Sequence, residues 1–186
     1  MTGRPALDDT KIRELIDKQE IHEILIRYCR GADRGDPDLI AAAYHDGAIE
    51  DHGGTFKGPA SEYVDMLRRV FPKAPRMTHA TTNVLIELDG DRARVESYIL
   101  TFSRLEGEDG GSFDSLTTSR VVDRFERRDG RWGIAHRRLT WEWNHEMPTR
   151  ETWGRGAIAR DPDALIRGGK KPDDLLYGWD WTQEGG

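Results

Sequence analysis

The sequence predicts a single α+β domain in which a strongly curved, mixed or antiparallel sheet cups N-terminal helices around a pocket. Three observations carry this expectation. Apolar residues recur at helical spacing as far as Val70, the period changes to two from Met77 onward, and Asp-Gly pairs punctuate the second half. Helices followed by hairpin-joined strands imply segregated layers, with the helices on one face of the sheet. Long twisted strands make that face concave, and whatever the helices leave unfilled is a cavity of the kind that binds small molecules.

Ile12, Leu15, Ile16, Ile21, Ile24, Leu25, Tyr28 and Cys29 form the stripe of a long amphipathic helix, after polar residues 8–10 that can cap its start. Gly31 is the expected stop, which places Asp33 just beyond the helix. A short second helix has Asp36 as its cap and Pro37 at its first position, and runs through Leu39, Ile40 and Ala43 to Tyr44. Residues 48–51 read as a short strand, Gly53-Gly54 as a turn and residues 61–70 as a third helix, closed by Pro72 and Pro75. Four strands follow at residues 78–88, 92–105, 113–126 and 131–143, with hairpin turns at Asp89-Gly90 and Asp129-Gly130 and a Gly-rich link at 107–111. The expected organisation is a flexible start at 1–9, the domain at 10–144, and an extension at 145–186 packing on it or on a neighbouring subunit. The extension keeps Trp153, Leu165, Ile166, Leu175, Leu176, Tyr177, Trp179 and Trp181, too apolar a set for a disordered tail. Apolar residues of both parities on the strands, such as Leu85 beside Val84 and Ile86, or Val122 beside Val121, point to a homo-oligomer.

The 186 residues are 36% apolar and 33% charged, without the run of about 20 apolar residues that a membrane span requires. No secretory or transit signal is evident, so the cytoplasm is the expected location. A net charge of −6 argues against nucleic acid as a partner, and Arg124, Arg127, Arg128 and Arg131 read as a solvated rim around a turn. Cys29, the single cysteine, excludes intrachain disulfides and thiolate-rich metal sites, and its place in the helix stripe makes it a buried structural thiol. His45, Glu50, Asp51 and His52 lie close in sequence but match no metal-ligand spacing, so no metal is expected. Phosphate-binding loops, dinucleotide fingerprints and the nucleophile elbow of serine hydrolases do not occur.

Three polar residues stand in apolar surroundings: Tyr28 late in the first helix, Asp33 shortly after it, and His79 early in the first long strand. A histidine acting as base needs a carboxylate on its other ring nitrogen to hold the tautomer, and Asp33 is the candidate. Spacing alone leaves each residue open to a structural role in the core, in a cap or on a strand. In the last strand, strict alternation puts Trp132, Ile134, His136 and Arg138 on one face and Gly133, Ala135 and Arg137 on the other. Arg137 is the candidate for an inward cation that stabilises a leaving anion or oxyanion, with Arg138 taking its place if a bulge shifts the register. Trp141 and Trp143, at the end of that strand, could line the entrance for an apolar or aromatic ligand or cement an interface.

Three stretches carry a family resemblance: Phe56-Lys57-Gly58-Pro59, His79-Ala80-Thr81-Thr82-Asn83 and Glu126-Arg127-Arg128-Asp129-Gly130-Arg131-Trp132. Through them the chain, from Ile12 to Trp143, resembles the SnoaL-like branch of the nuclear-transport-factor-2-like superfamily, a group with hexachlorocyclohexane dehydrochlorinase, bile-acid 7α-dehydratase and scytalone dehydratase among its members. The resemblance implies an Asp33–His79 dyad, a tyrosine at Tyr28 and an arginine at Arg137; Asn83, Trp141 and Trp143 are the expected residues of the substrate pocket. It implies cofactor-independent elimination of the dehydratase or dehydrohalogenase type. The expected substrate is a cyclic, largely apolar molecule such as a steroid, a polyketide or an aromatic-pathway intermediate. An isomerase or hydratase using the same dyad and a noncatalytic binding domain are the alternatives, and a homotrimer or homodimer is the expected assembly. Fold alone assigns no reaction.

Overall fold

The computed structural model describes residues 8–108, 110–151, 161–180 and 182. Trp153, Trp181 and residues 1–7 lie outside the described residues. The first helix, α1 (Asp9–Arg34), starts where the Asp8 carboxylate accepts from the Thr10 N–H. It does not stop at Gly31. The chain stays helical to Arg34 and turns at Gly35, which has the left-handed φ of 61° that favours glycine. Gly31 serves close packing instead: a Cβ there would sit 2.8 Å from Ile40 Cγ1 and 2.9 Å from the Asp36 carbonyl oxygen. Asp33 is therefore in the last helical turn, not beyond it.

The short α2 (Pro37–Ala41) begins as expected, with the Asp36 carboxylate accepting from the Asp38 N–H. It ends earlier, because Tyr44 already opens β1 (Tyr44–Asp51). A short β2 (Lys57–Pro59) pairs antiparallel with β1 and leads into α3 (Ala60–Val70). The meander follows as β3 (Met77–Asp89), β4 (Arg92–Glu106), β5 (Ser112–Arg128) and β6 (Arg131–Pro148). The Asp129-Gly130 turn between β5 and β6 has positive φ at both residues, 51° and 77°. The six strands make one open sheet in the order β2-β1-β6-β5-β4-β3, mixed because β1 runs parallel to β6.

Helices α1 and α3 lie in the concave side, where Ile21, Leu25, Tyr63 and Val64 meet Val95, Val121, Phe125, Trp132 and Ile134. Strict alternation fails along β6. Arg124 faces His136 but Phe125 faces Ile134, so Ala135 is an extra, unpaired residue. This bulge switches the inward set from Trp132 and Ile134 to Arg137 and Leu139, and sends His136 and Arg138 outward.

The described part of the extension lies against the end of α1 and the start of α2. The Lys171 N–H donates to the Arg34 carbonyl at 2.7 Å, and α4 (Leu175–Gly178) brings the Tyr177 hydroxyl to Asp36 Oδ2 at 2.8 Å. The Lys171 ammonium pairs with the same carboxylate at 3.1 Å. Among the described residues no helix is long and apolar enough to cross a membrane.

Two expected outcomes follow from this packing. Alanine is the better helix former by about 1 kcal/mol, yet in Gly31→Ala the overlap with Ile40 and a backbone carbonyl outweighs that gain. We expect a net loss of about 1–2 kcal/mol, read from urea unfolding. Burial opposes the charge on Asp36, but the Tyr177 hydroxyl and the Lys171 ammonium prevail and hold its carboxyl below the usual aspartate range. Its stabilisation is therefore complete above the unfolded value of about 3.9 and is lost as pH falls through the lower folded value. The gap between wild type and Asp36→Asn, about 1–2 kcal/mol at neutral pH, should close as unfolding is measured below about pH 4.

Candidate active site

Asp33 occupies an electrostatically poor place, since the last turn of a helix is the negative end of its dipole. Its compensation comes from β3. Oδ1 accepts the backbone N–H of His79 at 2.9 Å and lies 2.6 Å from the ring Nδ1 of the same residue. The two side chains are 14% and 17% exposed. Donation to a carboxylate fixes the ring proton on Nδ1 and leaves the Nε2 lone pair as the reactive position. His79 lines a cavity of about 340 Å³, while Asp33 stands behind the ring, toward the extension.

Tyr28 and Tyr63 reach into the cavity from α1 and α3 with their hydroxyl oxygens 3.3 Å apart. Burial raises the pKa of both phenols well above the ordinary value, so each keeps its proton as a donor. At the floor, the buried Arg137 gives Nε and Nη2 to the two oxygens of Asp123, both at 2.8 Å. Its guanidinium lies 4.2 Å from the centroid of the Tyr28 ring, a cation–π contact. Burial works against the guanidinium charge, but Asp123 reverses this and holds its pKa well above the ordinary value.

The opposite wall is made of small hydroxyl residues in cross-strand register, with Thr101 facing Thr117, Ser103 facing Ser115 and Ile99 facing Ser119. Where the same faces of β4 and β5 carry Val95, Val121 and Phe125, the concavity is filled. Where they carry serine and threonine, it stays open.

Not every candidate from the sequence meets this cavity. Trp141 lines it and donates its indole N–H to the Gly53 carbonyl at 2.9 Å. Trp143 is 77% exposed, because a second bulge leaves Glu142 unpaired and turns the two tryptophans to opposite faces. Asn83 is exposed at an irregular step of β3 with φ 49°, away from the cavity. Arg138 is exposed and reaches toward Asp51, so Arg137 is the inward arginine. Cys29 is buried with Sγ 3.2 Å from the Thr81 hydroxyl.

Sequence reasoning passed over Tyr44, Glu50, His52, Tyr63 and Asp123 as site residues. Glu50 is fully buried, accepting from the Tyr44 hydroxyl and lying 2.7 Å from His52 Nδ1. His45 points elsewhere, to the Glu126 carbonyl at 2.8 Å. Among the described residues no group of histidine, cysteine and acidic side chains is arranged to hold a metal ion. A signal for Glu50, His52 and Asp123 existed: Ala48 and Glu50 share one parity of β1 that His52 continues just beyond it, as Val121, Asp123 and Phe125 share one of β5. Both patterns put an acid on an apolar, inward face.

A SnoaL-like domain model matches residues 13–138. Among solved structures, the fold is similar to that of a hexachlorocyclohexane dehydrochlorinase of type 3 from Novosphingobium barchaimii LL02. That match has 20% identity and a TM-score of 0.65, covering 74% of this chain and 94% of the other. A protein provisionally assigned as scytalone dehydratase from Novosphingobium aromaticivorans DSM 12444 is similar at 20% identity and a TM-score of 0.64, covering 77% and 97%. The Kfla4162 protein from Kribbella flavida is similar at 23% identity and 0.63, covering 71% and 95%. No curated protein matches the sequence.

The buried pair at the floor yields a stability test. Arg137→Met strands an acid in the core and should cost about 3–5 kcal/mol in urea unfolding. Asp123→Leu added to it removes the stranded group and should recover most of the loss.

Proposed function

Because this chain belongs to the SnoaL-like domain family, we propose that it is a cofactor-independent lyase that eliminates water from a cyclic, largely apolar substrate. The observation that carries the reading is the His79–Asp33 pair at 2.6 Å, with His79 in the wall of a cavity whose size suits a compact ring system. The dehydrochlorinase and dehydratase descriptions of two structurally similar proteins support the reaction class.

In this reading His79 Nε2 removes the proton beside the leaving group, and Asp33 supports the positive charge that the ring gains. Tyr28 and Tyr63, both neutral donors, hydrogen-bond the oxygen on which negative charge grows as the C–H bond breaks. Arg137 does not touch the substrate through Nε or Nη2, since Asp123 holds both. It works from beneath the Tyr28 ring, where its charge makes the phenol a stronger donor. The exposed apolar residues Leu85, Phe102 and Val122 fit a homodimer or homotrimer built on the outer side of the sheet.

The test is a mass-spectrometric screen of hydroxylated steroids, polyketide-like phenols and chlorinated cyclohexanes for loss of water or halide. His79→Ala and Asp33→Asn, with folding checked by circular dichroism, should lower turnover about 10²- to 10⁴-fold. A compound that binds wild type and both variants equally well, with no turnover by any of them, would overturn the lyase reading in favour of a binding domain.

A further inference from the structure

The cavity holds a second histidine–carboxylate pair. His52 follows directly on β1, and its Nδ1 lies 2.7 Å from Glu50 Oε1. Glu50 is fully buried, and its other oxygen accepts from the Tyr44 hydroxyl, so the carboxylate is held from both sides. The imidazole is stacked on Tyr63, with centroids 5.1 Å apart and planes 26° from parallel. Trp141 meets it edge-on at 6.0 Å. Two aromatic neighbours and one carboxylate thus fix both the position and the rotation of the ring. Its Nε2 has no hydrogen-bond partner among the described residues, and the side chain, 21% exposed, lines the same cavity as His79. Arg137 is already matched by Asp123, so the side-chain partners of the buried Glu50 carboxylate are the Tyr44 hydroxyl and the His52 ring.

We infer that His52 is a second catalytic residue, the general acid that protonates the leaving oxygen while His79 acts as base. The inference rests on the elimination reading and narrows it to a substrate class: an alcohol whose hydroxyl is β to an acidic C–H. His79 Nε2 takes the proton from carbon, the C–H electrons become the new C=C bond, and the C–O bond breaks with its pair on oxygen. The proton on His52 Nε2 passes to that oxygen and water leaves. His79 ends protonated and His52 neutral, and one proton exchanged through solvent restores both. Nothing is oxidised or reduced. Chloride needs no proton to depart, so a site built only for halide loss would not require this second pair.

The test compares leaving groups on one ring. 3-Hydroxycyclohexanone and 3-chlorocyclohexanone give the same enone, and the corresponding 3-substituted 1-tetralones the same product, 1-naphthol, each read by ultraviolet absorbance after subtraction of the uncatalysed rate. His52→Gln should slow loss of water about 100-fold and loss of chloride by a few-fold at most, whereas His79→Ala should abolish both. Glu50→Gln, which leaves the His52 ring in place, should show the same selectivity in weaker form and covers the case in which His52→Gln does not fold. Equal effects of His52→Gln and Glu50→Gln on both leaving groups, or no effect on either, would overturn the role of His52 while the lyase reading stands. Absence of wild-type turnover for every compound of the set, with none found in the wider screen, would overturn the lyase reading and this inference with it.

Discussion

The site depends on the ion pair between Arg137 and Asp123. Two charges sit where water does not reach, and they are tolerable there only because a forked donor meets both oxygens of one acceptor. The pair exists because the β6 bulge at Ala135 turns Arg137 inward, opposite Asp123 on the neighbouring strand. From that fixed cation the rest follows in contact order. The ring of Tyr28 lies over it, the hydroxyl of Tyr28 meets that of Tyr63, and Tyr63 is the face on which His52 stacks. A chain of contacts thus ties two helices, α1 and α3, and the end of β1 to one buried charge, and it sets where the polar atoms of the cavity can be.

The layer order, the meander and the hairpin turns were legible in the sequence, because period and Asp-Gly turns are local properties. The Asp33–His79 pair was a candidate from the residues alone, but only resemblance singled it out, since many acids and histidines could pair by chance. Its physical setting was misread: Gly31 looked like a helix stop, but its role is tertiary, making room for Ile40 and the Asp36 carbonyl. That kind of constraint involves a residue from another element and leaves no local trace. Bulges are equally silent. Two of them in β6 decided that Arg137 faces in, that Trp143 faces out, and that simple alternation fails from Ala135 onward. Glu50 and Asp123 were different, because their parity beside apolar residues marked them as inward and a buried acid demands a partner.

The extension adds a feature that neither pattern nor resemblance foresaw. Asp36 caps α2 and at the same time binds Lys171 and Tyr177, so a single carboxylate joins helix start and extension. Next to it Lys170 lies over the Phe71 ring at 5.5 Å with its ammonium buried, and burial depresses its pKa against the pull of Asp33. The outer side of the dyad is thereby covered by the extension, which sets Asp33 between a histidine on one side and a lysine on the other.

The wall of serine and threonine carries a consequence of its own. The ladder between β4 and β5 is made by backbone groups, which are indifferent to whether the inward side chain is threonine, valine, serine or alanine. Each of these positions can therefore gain or lose one hydroxyl or methyl without disturbing strand pairing, helices or either histidine. In the proposed lyase this would place reaction chemistry and ligand preference in separate parts of the molecule, a division that lets a lineage explore new ligands by single small steps while the two histidines stay as they are.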